Sequence, residues 1–570
     1  MLKYRIYIFG SERHYHNFKK ATNRANLEVV HINEEGSFFK SKTKKEIVAD
    51  FEAVYDRNIE TKGIIIFGRA TVKGGIENIS AALNIIKNIH SELKDTQIIG
   101  PSLRAAKIFN NKDLTQKILY KNKILTPKTY RMPFNDLEHM QFPVVLKPLN
   151  LSGGCGMKFV SNAKDFKKNI LELNSLGIKD LIATEFIKGI EVTYTILRLG
   201  NIFLRLPVSF KKETDKKLTH PDAKVKLAGF YNGYDRCYNY LEDIMKKYDI
   251  YGFFSLQGVM VKKEFPSEYK VYFLEAATRI TGSTVIMSAA LEGFDTYKTI
   301  GNWLVDHTLC FSHGRAYAIQ YPSYKHNGKK TLNKLNELNW VKEVKYEDLS
   351  EMPYGTEKRD RIRISFSVNK KNLRERLKII GGILHNKQYE KDVSCAIKYF
   401  HSKGLEYEDR ECLSGEWENS LSWKFYLSNY LPARRLCSAV FGLLEYNQKI
   451  VLTKTKRGWE LPGGHIEEKE SIEKALKREM FEEAGANING CILIGYRKII
   501  ASHPIKNRNG KSYPFPISYI PHYIVTTDKN LVSPSGNQGE VLGSGIFTLK
   551  DLRKSNKEIA SIVEIIKKAI

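Results

Sequence analysis

The segment of residues 464–486, GHIEEKESIEKALKREMFEEAGA, constrains the fold of this chain more than any other. Ser471 caps a predicted helix that runs to about Glu483. Because residues three and four apart share one face of a helix, Glu479, Glu482 and Glu483 cluster in one sector of it. Clustered carboxylates repel one another unless a cation lies between them, and their hard oxygen atoms suit Mg²⁺ or Mn²⁺. The segment therefore predicts a metal-binding helix, and a solvated acidic helix is the alternative.

The spacing of this segment resembles the signature box of the Nudix hydrolases. The fixed positions of that box are matched by Gly464, Glu470, Arg478, Glu479, Glu482, Glu483 and Gly485, and Ala486 replaces a larger aliphatic residue. Residues 457–463, RGWELPG, match the strand and turn that lead into the box. The resemblance implies a loop–helix–loop that holds divalent metal against a diphosphate, within a C-terminal α/β/α sandwich.

The same resemblance assigns roles to individual side chains. It implies that Glu479, Glu482 and Glu483 coordinate Mg²⁺ or Mn²⁺ and act in catalysis, while Arg478 orients them. Glu540 stands where the family often supplies a further acidic ligand or base. The implied reaction is hydrolysis of a nucleoside diphosphate derivative, whose second moiety the segment does not identify.

Length and composition limit the classes of protein that fit. A chain of 570 residues is too long for one ordinary core, and three or four folding units are expected. Hydrophobic residues at 42% and charged residues at 27% are typical of soluble globular proteins. The sequence shows neither a signal peptide nor a membrane span. Seven cysteines without a CxxC pair indicate free thiols in a cytoplasmic protein.

The net charge of +28 raises the question of a nucleic-acid partner. Residues 431–570 carry 22 Lys and Arg against 14 Asp and Glu, a net charge of +8, and the other 430 residues carry +20. The basic residues are thus spread evenly, and no nucleic-acid-binding motif accompanies them. This distribution disfavours nucleic acid as a partner, and a basic nucleic-acid-associated adaptor is kept as an alternative.

Hydrophobic periodicity divides the first 430 residues. Strands are predicted at residues 4–9, 29–32, 63–68 and 97–100, and helices at residues 76–93 and 112–120. This alternation predicts a parallel α/β unit. Strands dominate residues 192–306, and a strand at residues 361–368 followed by a helix at residues 371–383 predicts a later α+β lobe.

Four segments between about Lys112 and Ser283 resemble, in order and spacing, an ATP-grasp enzyme of the carbamoyl-phosphate-synthetase-like branch. They are FNNKDLTQKILYKNKILTPKTY (109–130), FPVVLKPLNLSGGCGM (142–157), ATEFIKGIEVTYTIL (183–197), and SLQGVMV (255–261) with VYFLEAATRITGST (271–284). A strand lysine followed by a glycine-rich turn suits phosphate binding, since backbone N–H groups approach the anion while the ammonium neutralises it. The absence of GxxxxGK[ST] excludes a P-loop.

The resemblance implies ATP and Mg²⁺ as cofactors, and it assigns the residues that hold them. The nucleotide-binding residues are Lys112, Lys147, Ser152, Gly153, Gly154, Gly156, the adenine hinge Glu185, Phe186 and Ile187, and the ribose-binding Glu191. Gln257 and Glu275 are the metal ligands, and Arg279 is the catalytic residue that stabilises the transferred phosphoryl group. The implied reaction joins a small-molecule carboxylate to an amine, or to a similar nucleophile, through an acyl phosphate.

One residue departs from the ATP-grasp pattern. Ala277 stands where the family has a metal-binding Asn. The alternative is therefore an active Nudix hydrolase whose ATP-grasp part binds nucleotide without turning over.

The predicted chain is a multidomain α/β and α+β protein with no membrane partner. Its predicted units are a preceding α/β domain at residues 1–125, an ATP-grasp lid and core at 126–310, a trailing α+β lobe at 311–430 and the Nudix domain at 431–570.

Overall fold

A computed structural model gives the fold of the chain. The structure describes residues 4–34, 41–68, 75–134, 137–149, 156–216, 218, 225–229, 237–262, 269–291, 294–307, 309–311, 317–347, 360–368, 372–402, 410–417, 421–428, 432, 434–506, 512–527, 530–532 and 541–569. Within these ranges, no helix has the length and apolar character needed to cross a bilayer.

The N-terminal part is a parallel α/β layer. Its elements are β1 (Tyr4–Gly10), α1 (Glu12–Ala21), β2 (Leu27–Asn33), α2 (Lys44–Glu52), β3 (Glu60–Phe67), α3 (Gly75–Ile89), β4 (Ile98–Ile99), α4 (Leu103–Phe109) and α5 (Lys112–Lys121). The strands pair in parallel in the order β2-β1-β3-β4. Six consecutive residues of β1 are buried, as expected for a central strand of a parallel sheet. All four strands and both helices predicted in this part are present.

A small antiparallel unit follows. It consists of β5 (Thr129–Arg131), β6 (Val144–Pro148), β7 (Lys158–Val160), α6 (Ala163–Ser175) and β8 (Leu181–Glu185), with the strand order β5-β8-β6-β7. Apolar residues of the strands and of α6 form one core, which includes Val144, Leu146, Phe166 and Leu173. This unit therefore packs around its own core.

The central part is an eight-stranded antiparallel sheet with helices. Its elements are β9 (Ile190–Leu199), β10 (Ile202–Glu213), β11 (Lys226–Ala228), α7 (Cys237–Lys247), β12 (Gly252–Lys262), β13 (Tyr269–Ala277), α8 (Gly282–Ala289), α9 (Thr296–Asp306), β14 (Leu309–Phe311), β15 (Tyr317–Ser323), α10 (Gly328–Asn336), β16 (Val341–Glu347), β17 (Arg361–Val368), α11 (Leu373–Ile383) and α12 (Gln388–Ser402). The strand order is β13-β12-β9-β10-β11-β15-β17-β16, and β14 lies outside this sheet. A single hydrophobic core joins this sheet to the N-terminal layer.

The C-terminal part contains a ten-stranded mixed sheet. Its elements are β18 (Arg410–Trp417), β19 (Leu421–Leu427), β20 (Ala439–Tyr446), β21 (Lys449–Thr455), β22 (Gly458–Glu460), β23 (Gly463–His465), α13 (Ile472–Ala484), β24 (Gly490–Ala501), β25 (Ile517–Thr526), β26 (Val541–Phe547), α14 (Leu549–Ser555) and α15 (Lys557–Ala569). The main strand order is β18-β19-β24-β25-β20-β21-β22; β14 also pairs with β24, β23 with β20 and β26 with β21.

The β18–β19 hairpin lies in the C-terminal sheet, although its residues fall within the predicted lobe at residues 311–430. β19 pairs along its whole length with β24. The predicted boundary at residue 431 stays a prediction.

Candidate active sites

A cluster of charged side chains forms where the small antiparallel unit meets the central sheet. Lys147, on β6, is 5% exposed. Burial lowers the pKa of Lys147 to about 8; the carboxylate of Glu275 opposes this change and the ammonium of Lys112 adds to it. The Lys112 Nζ donates a hydrogen bond to the carbonyl of Pro148 at 3.0 Å. Two lysines and one glutamate from separate segments therefore lie within electrostatic reach of one another.

The predicted metal ligands of the ATP-grasp part lie side by side. Gln257 on β12 and Glu275 on β13 are direct partners in the antiparallel register. Both side chains are half-buried and share one face of the strand pair. The next pair on that face is Ser255 with Ala277, and the methyl group of Ala277 supplies no oxygen ligand.

Arg279 follows β13 and extends this cluster towards the N-terminal layer. Burial lowers the pKa of Arg279 to about 10, and the carboxylates of Glu275 and Glu34 oppose the change. Glu34 follows β2 and is 1% exposed. A Cβ added at Gly68 would lie 3.2 Å from Glu34 Oε2, so the carboxylate rests over the end of β3. The sequence did not indicate Glu34, because a single acidic residue after a strand is common.

The predicted adenine hinge follows β8. The Phe186 N–H donates to the carbonyl of Pro143 at 3.0 Å, and the Ile187 carbonyl accepts from Thr214 Oγ1 at 2.9 Å. Glu185 Oε2 accepts from the Lys128 N–H at 3.3 Å. The hinge is thus held on both sides by neighbouring segments.

Glu191 lies beyond the hinge on β9. Lys211 Nζ, on β10, is 3.3 Å from Glu191 Oε2, and the Lys211 side chain is 6% exposed. The sequence does not indicate Lys211, because it is one of many lysines in the chain and the alternation of β10 does not distinguish it. Gly156 has a φ of 68°. The predicted residues Ser152, Gly153 and Gly154 lie outside the described residues.

Helix α13 begins after the predicted cap Ser471 and ends at Ala484, one residue beyond the predicted end. Ser471 Oγ accepts from the Lys474 N–H at 3.2 Å at the N-terminus of α13. Gly485 ends the helix with a φ of 63°, and a Cβ there would lie 1.8 Å from the carbonyl oxygen of Val532. Only glycine fits this position. Leu476 and Met480 are fully buried and fix α13 against the sheet.

Arg478 lies at the centre of the acidic cluster. Its Nη1 donates to Glu479 Oε1 at 2.8 Å and to Glu482 Oε2 at 3.2 Å. Its Nε and Nη2 donate to the two carboxylate oxygens of Glu470 at 3.2 and 3.0 Å, and Nη2 also donates to the carbonyl of His465 at 3.0 Å. One guanidinium therefore contacts three carboxylates and one backbone carbonyl.

Two glycines in the segment before α13 allow carboxylates of this helix to approach the backbone of that segment. The Gly463 N–H donates to Glu483 Oε2 at 2.9 Å. A Cβ added at Gly464 would lie 2.6 Å from both carboxylate oxygens of Glu479. A side chain at position 464 would therefore displace Glu479, which is 8% exposed.

The acidic cluster carries unfavourable charge that a cation would relieve. Burial raises the pKa of Glu483 to about 7, and repulsion from Glu479 and Glu460 adds to the rise. Burial also raises the pKa of Glu479, with Glu482 and Glu470 contributing. Oxygen donors under mutual repulsion fit Mg²⁺ or Mn²⁺. Among the described residues, no three His, Cys, Asp or Glu side chains already form a metal-binding group. The predicted ligand Glu540 lies outside the described residues.

Comparison with known proteins identifies the C-terminal part by sequence. Residues 434–566 match the family model of the NUDIX domain. The match begins after the β18–β19 hairpin, so the hairpin is an addition to the matched region.

The part of the chain before this domain is similar to curated ligases. It is 25% identical over 203 residues to a carbamoyl-phosphate synthase of Methanobrevibacter smithii, covering 34% of this chain and 52% of that protein. It is 29% identical over 145 residues to a D-alanine–D-alanine ligase of Coprothermobacter proteolyticus, covering 24% and 47%. It is 27% identical over 180 residues to a phosphoribosylamine–glycine ligase of Pyrococcus horikoshii, covering 28% and 39%. The chain spans about half the length of the first two relatives and less of the third.

Solved structures of similar shape include an L-amino acid ligase from Bacillus licheniformis, with a TM-score of 0.47 and 14% identity over 67% of this chain and 98% of that one. An N5-carboxyaminoimidazole ribonucleotide synthetase from Thermus thermophilus has a TM-score of 0.47 and 13% identity over 66% and 98%. The NUDIX match and the similarity to ligases agree with the two predicted resemblances, and the observed helices and sheets confirm the predicted α/β and α+β fold class. The chain therefore combines an N-terminal part that is similar in sequence to curated ligases with a C-terminal part, residues 434–566, that matches the NUDIX domain model.

Proposed function

We propose that the chain is a bifunctional enzyme, in which an ATP-dependent carboxylate–amine ligase is fused to a Mg²⁺-dependent Nudix hydrolase of a nucleoside diphosphate derivative. The observation that supports the ligase best is the convergence of Lys112, Lys147, Glu275 and Arg279 from three separate segments. Buried and half-buried basic groups beside a carboxylate suit a nucleoside triphosphate with its metal ion. Five cysteines in the described part of the chain form no disulfide, which supports a cytoplasmic location.

Each part of the ligase site has a role in this proposal. Lys112 and Lys147 bind the phosphates, residues 185–187 contact the adenine, and Glu191 binds the ribose hydroxyls. Gln257 and Glu275 hold Mg²⁺, and Arg279 stabilises the phosphoryl group during transfer. ATP supplies the phosphoryl group that converts the small-molecule carboxylate into an acyl phosphate, from which an amine displaces phosphate. The glycine-rich residues Ser152, Gly153, Gly154 and Gly156 are assigned to the phosphates by the sequence pattern alone.

Ala277 supports a second candidate function for this part of the chain. It is 5% exposed and lies two residues beyond Glu275 on the same strand, where it provides no ligand. A site with fewer metal ligands would bind nucleotide without turning it over. The chain would then be a Nudix hydrolase with a nucleotide-binding ATP-grasp part.

ADP formation distinguishes these two functions. The purified chain is incubated with ATP, Mg²⁺ and pools of amino acids and small carboxylic acids, and ADP is measured. We expect ADP formation that depends on one of the pools and falls by about 100-fold in Lys147→Ala, because the phosphates lose a buried cation. Lys167→Ala, an exposed lysine on α6, serves as the matched control and retains activity.

Two results would contradict the ligase. ADP formation that no pool stimulates, or that Lys147→Ala leaves unchanged, would favour the nucleotide-binding alternative. Equilibrium binding of a fluorescent ATP analogue then separates that alternative from a part that binds no nucleotide at all.

The proposed Nudix site uses the acidic cluster on α13. Glu479, Glu482 and Glu483 hold Mg²⁺ or Mn²⁺, with Glu540 as a further ligand or base, and Arg478 keeps the carboxylates in place. The metal supplies Lewis-acid activation of the diphosphate and of the attacking water. Burial raises the pKa of Glu483 to about 7 in the metal-free protein, so a bound cation would favour the ionised carboxylate.

A panel of nucleoside diphosphate derivatives tests the hydrolase. With Mg²⁺ present, we expect the wild type to cleave at least one member, and Glu482→Gln to reduce the rate by about 100-fold. Glu473→Gln, on the first turn of the same helix, is the control and should keep the wild-type rate. Equal rates for wild type and Glu482→Gln would remove the metal-binding role of the cluster.

A further inference from the structure

A short strand from the ligase-related part lies in the sheet of the Nudix domain. β14 follows α9 and pairs in parallel with β24, with Leu309 opposite Gly490 and Phe311 opposite Ile492. The Leu309 N–H donates to the carbonyl of Asn489 at 2.6 Å. The two parts of the chain are therefore joined by backbone hydrogen bonds as well as by covalent connection.

Apolar side chains of both parts of the chain pack around β14. Leu309 is 3% exposed and belongs to the core cluster of the ligase-related part, together with Ile202 on β10. Ile492 of the Nudix sheet packs against that cluster. A Cβ added at Gly490 would lie 2.8 Å from Ile202 Cδ1, so the backbone of β24 rests directly on this core. We refer to Ile202, Leu309, Gly490 and Ile492 as the docking seam.

The chain connection near residue 400 adds a second attachment. Ala396 on α12 belongs to the core of the central sheet, and Tyr399 Oη donates to Glu213 Oε1 at 2.9 Å. α12 ends at Ser402, and β18, which already belongs to the Nudix sheet, begins at Arg410. Both ends of this connection are thus anchored in packed structure.

The docking seam and the proposed nucleotide site lie near opposite ends of the same pair of strands. β9 and β10 form a hairpin whose turn joins Leu199 to Ile202 at the seam. Glu191 and Lys211 lie near the opposite end of that hairpin. At about 3.3 Å per strand residue, the two ends are roughly 25–30 Å apart. Docking of the Nudix domain therefore supports the nucleotide-binding sheet from its far end.

We propose that the docking seam makes the ligase-related part and the Nudix domain one cooperative folding unit, so that nucleotide bound in the first part stabilises the second. The reason is thermodynamic: a ligand that binds only the native state stabilises everything that unfolds with its site. The seam itself rests on the strand pairing of β14 with β24 and on the packing of Ile202 and Ile492, whereas its link to nucleotide rests on the proposed ligase function.

Differential scanning calorimetry of the full chain tests the proposal, with protease cleavage followed by mass spectrometry to show which part unfolds at each temperature. We expect one transition in the wild type. Ile492→Asp places a charge in the seam and should give two unfolding transitions. In the transition at the lower temperature, only one of the two parts should unfold. Ile546→Asp is the matched control, since Ile546 is 48% exposed on β26 and should leave one transition.

Added ADP with Mg²⁺ provides the second measurement. In the wild type, the unfolding of both parts should shift upward together by a few degrees. In Ile492→Asp, only the transition of the ligase-related part should shift. Gly490→Val reaches the seam from the backbone side and should reproduce the result if Ile492→Asp lowers the yield of folded protein.

Separate transitions in the wild type would overturn the proposal, as would a single transition in both seam variants. The count of transitions needs neither enzyme activity nor nucleotide. If ADP shifts no transition in any variant, the nucleotide-binding function fails, while the number of transitions still decides whether the seam couples the two parts.

Discussion

Ala277 occupies the strand position where a third polar side chain would face the cation that we propose Gln257 and Glu275 hold. Residues two apart on a strand share a face, so position 277 lies beside Glu275. Opposite Ala277 is Ser255, whose hydroxyl already bonds Thr195 Oγ1 at 2.8 Å. The surroundings of Ala277 are therefore polar enough to accept an amide.

Restoring an oxygen at this position gives a direct prediction. Ala277→Asn should lower the Mg²⁺ concentration for half-maximal ADP formation by several-fold, because the cation gains an amide oxygen. The measurement is a Mg²⁺ titration of ADP formation, or of ATP-analogue binding. Ala277→Leu, which adds volume without an oxygen, is the control. An equal effect of both variants would show that packing, and not ligation, controls the site.

The pKa of Lys147 predicts how nucleotide affinity depends on pH. With its pKa lowered to about 8 by burial, Lys147 is charged at pH 7 and largely neutral at pH 10 in the free protein. Phosphate binding needs the charged form, so affinity for an ATP analogue should fall by up to about tenfold per pH unit above pH 8. Lys147→Arg keeps its charge throughout this range.

Binding titrations from about pH 7 to about pH 10 check this expectation, since the wild-type affinity should decline where that of Lys147→Arg stays flat. Parallel declines in both proteins would assign the pH dependence to another group.

These residues also show which charged side chains of the candidate site can be predicted from the sequence. Lys147 and Glu275 were identifiable because each lies at a fixed place in a recognisable order of segments. Glu34 and Lys211 were not, because their significance comes from burial and from partners far away in the chain. Burial of a single charged residue leaves no local signature.

Among the secondary-structure elements, the β18–β19 hairpin shows that local sequence patterns do not predict which strands pair. The parallel α/β alternation of the first part and the bounds of α13 follow from hydrophobic periodicity and caps, which are local. The partner of a strand is not local. β19 pairs with β24, and Trp423 of β19 lies over Gly415 of β18 and beside Arg497 of β24. The hairpin is therefore built into the Nudix core, although it precedes the matched family region.

Truncation of Trp423 tests that conclusion. Trp423 is 5% exposed within the core cluster that also contains residues of α14 and α15. Trp423→Ala should destabilise the Nudix domain by about 3–5 kcal/mol, because it removes a large buried side chain. Urea unfolding of the full chain, followed by protease sensitivity of the Nudix domain, measures the change.

Lys424→Ala is the control on the same strand. Lys424 points to the other face and pairs with Glu411 in solvent, so its loss should have little effect. If the two variants were equally stable, the hairpin would be an appendage and not part of the core.

In the molecule as a whole, the sequence predicts the distribution of charge but not how the two parts are attached to each other. The order of parts follows from the sequence, but their attachment through β14 does not, because a three-residue strand paired across such a separation carries no recognisable pattern. The net charge, in contrast, follows directly from the sequence. A net charge of +28, spread over both parts, means that like charges repel across the whole folded surface.

This repulsion predicts that salt stabilises the protein at neutral pH. Between about 0.01 M and about 0.1 M NaCl the Debye length falls from about 30 Å to about 10 Å, so long-range repulsion is screened while buried pairs are little affected. The calorimetric unfolding temperature should therefore rise by a few degrees. Near pH 9.5, where the sequence is close to neutral, the same addition of salt should have almost no effect. A fall at pH 7, or an equal rise at both pH values, would mean that specific ion pairs or ion binding outweigh the net charge.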